Sequence, residues 1–326
     1  MNRFLTLPLA RALVSAGVLG LSLAGCGGGG GSSPAPIGNV DVTAANQDTV
    51  ARGSLVALQA GVLGGSAGVA GGGSALARAA FVPRKQIAAV QPPVDEACWI
   101  SGSTRSVLDD RDNSGGPTVG DVATITYTDC VEVAGEVTNG SITATFTQIQ
   151  TATLPATIAA SISTTDLRTQ TAHASVAAQG GFAMTLRIDS LSADSLRISV
   201  PSGFTLSITT PLYSDVVTLK AGYVLDAAYD GTALPPGGTI PGRTTTTASG
   251  PVESATAVGY VQLATLQPFV QYDVDAYPRS GLFQATGKTG TLRGTVLSST
   301  QVQLDLDADG NGSYEASKIV AWTDFF

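Results

Sequence analysis

From residue 98 onward, apolar and polar side chains alternate with a period of two. This alternation recurs in the segments 123–128, 142–147, 184–189, 196–200, 204–208 and 302–306. Strands with one apolar and one polar face belong to antiparallel sheets that leave one side in water. We count about twelve such strands, separated by turn sequences such as Asn139-Gly140 and Asp309-Gly310. A meander of this length is expected to curl into a half-barrel or to split into a sandwich, which limits its exposed edges. The sequence therefore predicts a mainly β protein with a large curved antiparallel sheet.

The residues before this region predict a single N-terminal helix. Val50, Leu55, Leu58 and Val62 fall near helical spacing, so we expect a helix over 41–63, with Thr43 or Asn46 as its cap. Residues 64–73 are a low-complexity Gly/Ala/Ser segment, and 81–94 contain Pro83, Pro92 and Pro93, which is typical of an extended connector. We therefore expect the helix and connector within 41–95 and the β domain within 96–326.

The start of the chain has the pattern of an export signal. Arg3 and Arg11 precede an apolar segment, 12–24, that is too short to span a bilayer as a helix. Leu23-Ala24-Gly25-Cys26 then places small residues just before a cysteine, and the whole resembles a bacterial type II (lipoprotein) signal peptide. The resemblance implies removal of residues 1–25 and lipidation of Cys26. Residues 26–40 are then the lipidated cysteine and a Gly/Ser/Pro-rich linker. An ordinary secretory signal with an incidental cysteine is the alternative.

Charge indicates which partners to expect. The chain carries a formal charge of −8, and loss of Arg3 and Arg11 with the signal peptide leaves −10. Such acidity argues against nucleic acid as a partner and against electrostatic adhesion to anionic lipid. We therefore expect the protein to contact the membrane only through its acyl anchor. Gly27 after Cys26 resembles the sorting pattern of outer-membrane lipoproteins of enteric bacteria, which implies an outer-membrane location.

Two cysteines remain once Cys26 is assigned to the lipid. Cys98 and Cys130 are expected to form a disulfide, because exported proteins fold in an oxidising compartment. A pair of buried free thiols is the alternative. A metal site built on these sulfurs is disfavoured, since His173 is the only histidine of the chain.

The first of two acidic loops runs from Asp110 to Asp121. With Asp110 as position one, Asp112, Ser114 and Asp121 fall at positions three, five and twelve, and glycine stands at six. This spacing resembles the calcium loop of EF-hand proteins, which surrounds a hard cation with oxygens on a sharply turning backbone. The flanks read as strands, so the resemblance implies a calcium loop and not an EF-hand domain.

The second acidic loop lies near the C-terminus. It contains Asp305, Asp307, Asp309, Asn311 and Glu315, and we count Asp305 as its first position. Carboxylates this close repel one another unless they are solvated or bridged by a cation. Calcium is therefore the candidate cofactor of both loops. The alternative for each is a polar hairpin turn, where Asp, Asn and Gly are common for conformational reasons.

The remaining sequence patterns do not identify an enzymatic reaction. The segment from Tyr277 to Trp322, and that from Gly120 to Ser141, resemble uncharacterised β-rich lipoproteins of Gram-negative bacteria, a similarity that implies a shared extracytoplasmic architecture. We therefore expect a non-enzymatic binding or structural role at the cell envelope, with the protein or ligand partner unidentified. A carrier of lipid or another hydrophobic ligand is the alternative. An enzyme, a hydrolase that uses His173, ranks third.

Overall fold

The structure of the chain is a computed structural model. The structure describes residues 38–59, 92–132, 134–172, 174–190 and 192–325. The predicted signal peptide, Cys26, the linker up to residue 37, the segment 60–91 and His173 lie outside the described residues. No helix within the described ranges combines the length and the apolar character that a membrane crossing requires.

The described residues form one α-helix, fifteen β-strands and one 3₁₀ turn, Trp322–Asp324. The helix is α1, Gln47–Gln59. The strands, in chain order, are β1 Val94–Ala97, β2 Ser101–Asp109, β3 Val122–Val131, β4 Val137–Gln150, β5 Ala156–Gln170, β6 Ser175–Ser190, β7 Ala193–Thr209, β8 Ser214–Leu219, β9 Tyr223–Asp230, β10 Arg243–Ser254, β11 Gly259–Tyr272, β12 Ser280–Thr286, β13 Thr291–Ser298, β14 Gln301–Asp307 and β15 Ala316–Ala321.

All fifteen strands belong to one antiparallel sheet in which sequence neighbours pair. The exception is β8 and β9, which lie end to end and together fill one place between β7 and β10. β1 and β15 pair on one side only, so the sheet is open. The predicted mainly β fold with a large curved antiparallel sheet is confirmed. The described part of the chain has three strands more than the predicted twelve. Two reasons are that β1 begins within the expected connector, at Val94, and that a short break separates β8 from β9.

The helix packs on the apolar face of the sheet. α1 lies against β10 and also contacts β8, β12 and β13. Its residues Val50, Leu55 and Leu58 are buried, and Ala57 accepts a hydrogen bond of 2.7 Å from the buried hydroxyl of Tyr223. These residues and the inward side chains of the strands form one hydrophobic core, which explains the period-two pattern of the sequence.

The start of the helix differs from the prediction. α1 begins at Gln47 and not at Asp41, because Asp41 pairs with Thr289 in a short β-bridge. The side-chain oxygen of Asn46 accepts the N–H of Thr43 at 2.8 Å, so it bonds backwards and does not cap the helix. The predicted end at Leu63 lies outside the described residues.

A column of two bulges, in β3 and β5, interrupts the strand pairing on either side of β4. In β3 the pairing shifts between Tyr127 and Cys130, and in β5 it shifts between Thr164 and Leu167. Asp129 and Asp166, the extra residues, have positive φ of 44° and 49°. Each bulge adds one residue, so the buried positions change from even to odd along β5 while remaining on the inner face.

The predicted disulfide lies beside this column. Cys98 and Cys130 are bonded, with their Cα atoms 5.5 Å apart, and both side chains are buried. The bond joins the residue that follows β1 to the end of β3. It therefore closes a covalent loop that contains β2 and the whole of the first acidic loop.

Gly140 in β4 tests the role of the bulges. Its φ is 105°, and a Cβ there would overlap the carbonyl oxygen of Asp166 in the neighbouring bulge. We expect Gly140→Ala to lower the free energy of unfolding by about 2–4 kcal/mol. The matched control is Gly203→Ala, where φ is 135° but a Cβ meets no atom within 4 Å; it should cost only about 1 kcal/mol. Equal losses in urea unfolding would show that the close approach at Gly140 does not matter.

Candidate functional site

The first acidic loop connects β2 to β3 and contains two buried carboxylates. Asp110, which follows the last residue of β2, is 0% exposed, and Asp121, which precedes β3, is 1% exposed. Asp112 lies on the surface between them. Oxygens of these three side chains lie within 4.8 Å of one another, as the spacing predicted. Ser114, the fourth predicted residue, is exposed, and its hydroxyl donates to the carbonyl oxygen of Gly116 at 2.8 Å.

Backbone N–H groups converge on the carboxylates of the first loop. Asp110 accepts the N–H of Ser114 at 3.0 Å and that of Gly115 at 2.8 Å, on different oxygens. Asp112 shares the N–H of Ser114, also at 3.0 Å. Thr118 donates its hydroxyl to Asp112 at 2.8 Å, and this bond, followed by those from Ser114, lowers the pKa of Asp112. The loop thus favours the ionised form of Asp112 and holds the three carboxylates close together.

The second acidic loop connects β14 to β15, and its first carboxylate is Asp307. Asp307 is 4% exposed, whereas Asp309 and Glu315 lie on the surface. Oxygens of these three side chains also lie within 4.8 Å of one another. Asp307 accepts N–H groups from Gly310, Asn311 and Gly312 at 2.8, 3.1 and 2.9 Å. Counting therefore starts at Asp307, which puts Asp309 at position three, Asn311 at five and glycine at six.

Asp305 does not belong to this cluster, so the predicted first position was wrong. It lies within β14 opposite Arg293 and accepts a hydrogen bond from that guanidinium at 3.0 Å. Burial alone would raise the pKa of Asp305, but hydrogen bonds from Gln303, Ser317 and Arg293 outweigh it and lower the pKa. Asp305 and Asp307 do share a face, as strand alternation predicted. The carboxylate of Asp305, however, forms an ion pair with Arg293.

The two loops share two left-handed backbone positions and one hydrogen-bonding pattern within six residues. Position four has positive φ in both, 57° at Asn113 and 73° at Gly310. Position six does as well, 84° at Gly115 and 89° at Gly312. The N–H of position five donates to the carboxylates at positions one and three in each loop. The shared sequence is Asp-x-Asp-x-(Ser or Asn)-Gly, a repeat that could have been found from the sequence once the second count began at Asp307.

A later carboxylate closes each loop in the same way. In the first loop Asp121 accepts the N–H of Arg111, the second position, at 2.8 Å. In the second loop Glu315 accepts the N–H of Ala308, again the second position, at 2.9 Å. The closing residue stands at position twelve in one loop and position nine in the other. Two loops of different length thus reach one arrangement of three carboxylates.

These arrangements suit a hard cation. Each cluster offers three carboxylates, and a carboxylate oxygen that accepts one N–H retains a second lone pair. Oxygen-rich, negatively charged sites of this kind match the ligand preference of calcium. A third cluster, Cys98, Cys130 and Glu132, has no such chemistry because its two sulfurs are consumed by the disulfide.

The structure also contains a perturbed acid that the sequence did not indicate. Asp194 pairs with Tyr229 across β7 and β9. Burial, followed by the charge of Asp189, raises the pKa of Asp194 to about 6. Burial and the nearby Asp273 raise the pKa of Tyr229 to about 12. A single aspartate in a strand carries no signal of its own, because its burial depends on the register of β7 with β9.

The raised pKa of Asp194 predicts a pH-dependent stability. The folded state binds this proton more tightly than the unfolded chain, so the free energy of unfolding should fall as pH rises from about 4 to 6 and then level off. We expect Asp194→Asn to stabilise the protein at pH 7.5 by about 1–3 kcal/mol and to have little effect at pH 4. Thermal unfolding at both pH values measures this. The control is Asp226→Asn, which removes an exposed ion pair with Arg197 and should change stability by less than about 1 kcal/mol at either pH.

Comparison with known proteins adds no further assignment. No protein-family model matches this chain, and neither the curated proteins nor the solved structures contain a match. The resemblance to β-rich lipoproteins therefore stays a prediction from the sequence. The geometry of the two aspartate loops and the N-terminal sequence are the observations on which a function can be proposed.

Proposed function

We propose that this protein is a lipid-anchored protein of the outer membrane whose β domain has a non-enzymatic binding or structural role. Calcium bound at the two aspartate loops would rigidify that domain. The anchor is Cys26 within Leu23-Ala24-Gly25-Cys26, and the proposal of export agrees with the disulfide between Cys98 and Cys130.

The shared geometry of the two loops carries the calcium proposal. An ordinary polar turn requires one Asp or Asn that accepts a backbone N–H two residues later. Asp230, the last residue of β9, does this with Thr232 in the turn that follows. The two loops instead gather three carboxylates each, one or two of them buried, within 4.8 Å. Repulsion among three such charges is costly, and a divalent cation removes that cost.

A structural role fits the packing of the inner face. The inward side chains of the sheet are buried against one another and against α1. A carrier needs an apolar face that is open to its ligand. We therefore retain the binding or structural role as the proposal and treat the hydrophobic carrier as the less favoured reading.

The calcium proposal predicts a thermal shift. A ligand that binds only the folded state stabilises it by mass action. For weak sites of about 10⁻⁴ to 10⁻³ M, roughly 10 mM calcium should add about 1.4–2.7 kcal/mol per site. The melting temperature should therefore rise with calcium and fall again with a chelator. Identical melting curves in calcium and in chelator would refute the proposal.

Matched variants separate a specific site from general screening of charge. Asp112→Asn and Asp309→Asn remove the exposed third-position carboxylate of each loop and leave the buried Asp110 and Asp307 in place. Each variant should lose about half of the calcium-induced shift. The control is Asp230→Asn, an exchange in a turn without a carboxylate cluster, which should retain the whole shift. A loss of the shift in the control would indicate nonspecific binding.

The anchor proposal predicts a processed and acylated N-terminus. Mass spectrometry of the protein purified from membranes should find residues 1–25 removed and Cys26 acylated. Cys26→Ser should move the β domain into the soluble extract, since the acyl chains are the proposed means of attachment. Fractionation of the native protein should place it with the outer membrane. An unmodified Cys26 would overturn the anchor, and recovery in the inner-membrane fraction would overturn the location.

A further inference from the structure

The chain enters the β domain at one defined edge of the sheet. Gly38 donates its N–H to the carbonyl oxygen of Thr286 at 3.2 Å, at the end of β12. Asn39 exchanges two hydrogen bonds with Tyr260, of 2.9 and 2.7 Å, at the start of β11. Twelve Cα–Cα steps separate Cys26 from Gly38, so covalent geometry keeps a lipid on Cys26 within about 43 Å of this edge.

Val258 lies in the turn next to this entry point. It occupies the tip of the β10–β11 turn, two residues before Tyr260, and its side chain is 86% exposed. Its φ is 58°, a left-handed conformation that β-branched residues rarely adopt. Glycine or asparagine would fit the same backbone at less cost and would leave no apolar surface in water. An outlier of this kind points to a role for the side chain itself.

Other exposed apolar side chains share this edge. In a meander whose neighbouring strands pair antiparallel, alternate turns lie on the same edge of the sheet. The turns β1–β2, β7–β8 and β10–β11 therefore lie on the edge where the chain enters. Among the described large apolar residues, the three most exposed are Val258 at 86%, Trp99 at 74% and Leu212 at 72%, one in each of these turns. The opposite edge also carries exposed apolar residues, but each is less exposed than these three: Val119 at 62%, Ile240 at 56%, Leu154 at 53% and Leu234 at 52%.

We propose that this edge, defined by the turn tips Trp99, Leu212 and Val258, rests on the lipid bilayer that holds the acyl anchor. The proposal depends on the proposed lipidation of Cys26. The anchor keeps the edge at a high local concentration of lipid, so weak contacts at each tip suffice. Tryptophan favours the headgroup region, and valine and leucine favour the acyl boundary below it. The net negative charge makes an apolar contact with zwitterionic lipid the expected mode.

Thiol labelling gives a direct test in the full lipidated chain. The native cysteines are engaged, Cys26 by the proposed acyl chain and Cys98 with Cys130 by the disulfide. A thiol introduced by Val258→Cys is therefore unique and accepts an environment-sensitive fluorophore. The protein is reconstituted into phosphatidylcholine vesicles with or without a lipid that carries a spin label near the headgroup.

The control lies at the other end of the same strand. Val274 follows β11 in the turn on the opposite edge and is 46% exposed. We expect the spin-labelled lipid to quench most of the fluorescence at Val258→Cys and to leave that at Val274→Cys nearly unchanged. Leu212→Cys should behave like Val258→Cys, which keeps the test decisive if the strained turn at 258 does not accept the label.

The outcomes separate this inference from the proposed function. Equal quenching at Val258→Cys and Val274→Cys in a protein that is acylated and floats with the vesicles would overturn the docking edge and leave the anchor intact. A protein that is not acylated and does not float would overturn the anchor and the docking edge together. Quenching at the entry edge alone, in the acylated protein, would establish the orientation.

Discussion

One apolar face must stay inside along each strand from β2 to β14, and the bulges make this compatible with bending. If the alternation of a strand shifts by one residue, its polar side chains face the core. In β5 the buried positions are 160, 162 and 164 before the bulge and 167 and 169 after it. The left-handed residue Asp166 absorbs the difference, and Gly140 on β4 leaves room for it. The bulges of β3 and β5, which lie on either side of β4, thus keep one apolar face continuous across this part of the sheet.

Both aspartate loops begin where a strand ends. Asp110 is in phase with the inward Leu108 of β2, whereas Asp307 ends β14 on the face opposite Leu304 and Leu306. Asp110 follows β2 and Asp307 ends β14, and both are buried although they are charged. Burial of a carboxylate is tolerated only when hydrogen bonds or a counter-charge replace its water. The converging N–H groups of positions five and six are this replacement, and the glycine at position six lets the backbone turn sharply enough to supply them.

Local sequence patterns predicted what depends on neighbours in the chain, and they failed where partners come from afar. The alternating segments around Ile125, Ile142 and Ile198 became strands as expected, and Asp110 to Asp121 formed the predicted cluster. The helix began late because Asp41 pairs with Thr289, 248 residues away. The first position of the second loop was assigned to Asp305, because the local sequence does not show that Arg293 on β13 forms an ion pair with this carboxylate. Asp194 gave no signal for the same reason.

The two aspartate loops, the disulfide and one ion pair lie near the two margins of the open sheet. A strand at the margin of an open sheet has a partner on one side only, so the ladder is weakest there. The first loop and the disulfide lie between β1 and β3, at one margin, and the second loop joins β14 to β15, at the other. The ion pair of Lys318 with Asp48 also ties β15 to α1. A cation at the second loop would fasten the marginal strand β15 to β14, where hydrogen bonding within the sheet stops. The first loop joins β2 to β3, one strand in from the other margin, and there the disulfide is the bond that ties the residue after β1 to β3. An interior hairpin, paired on both sides, gains less from added rigidity, so we expect the second loop to contribute more to the stability of its margin than the first.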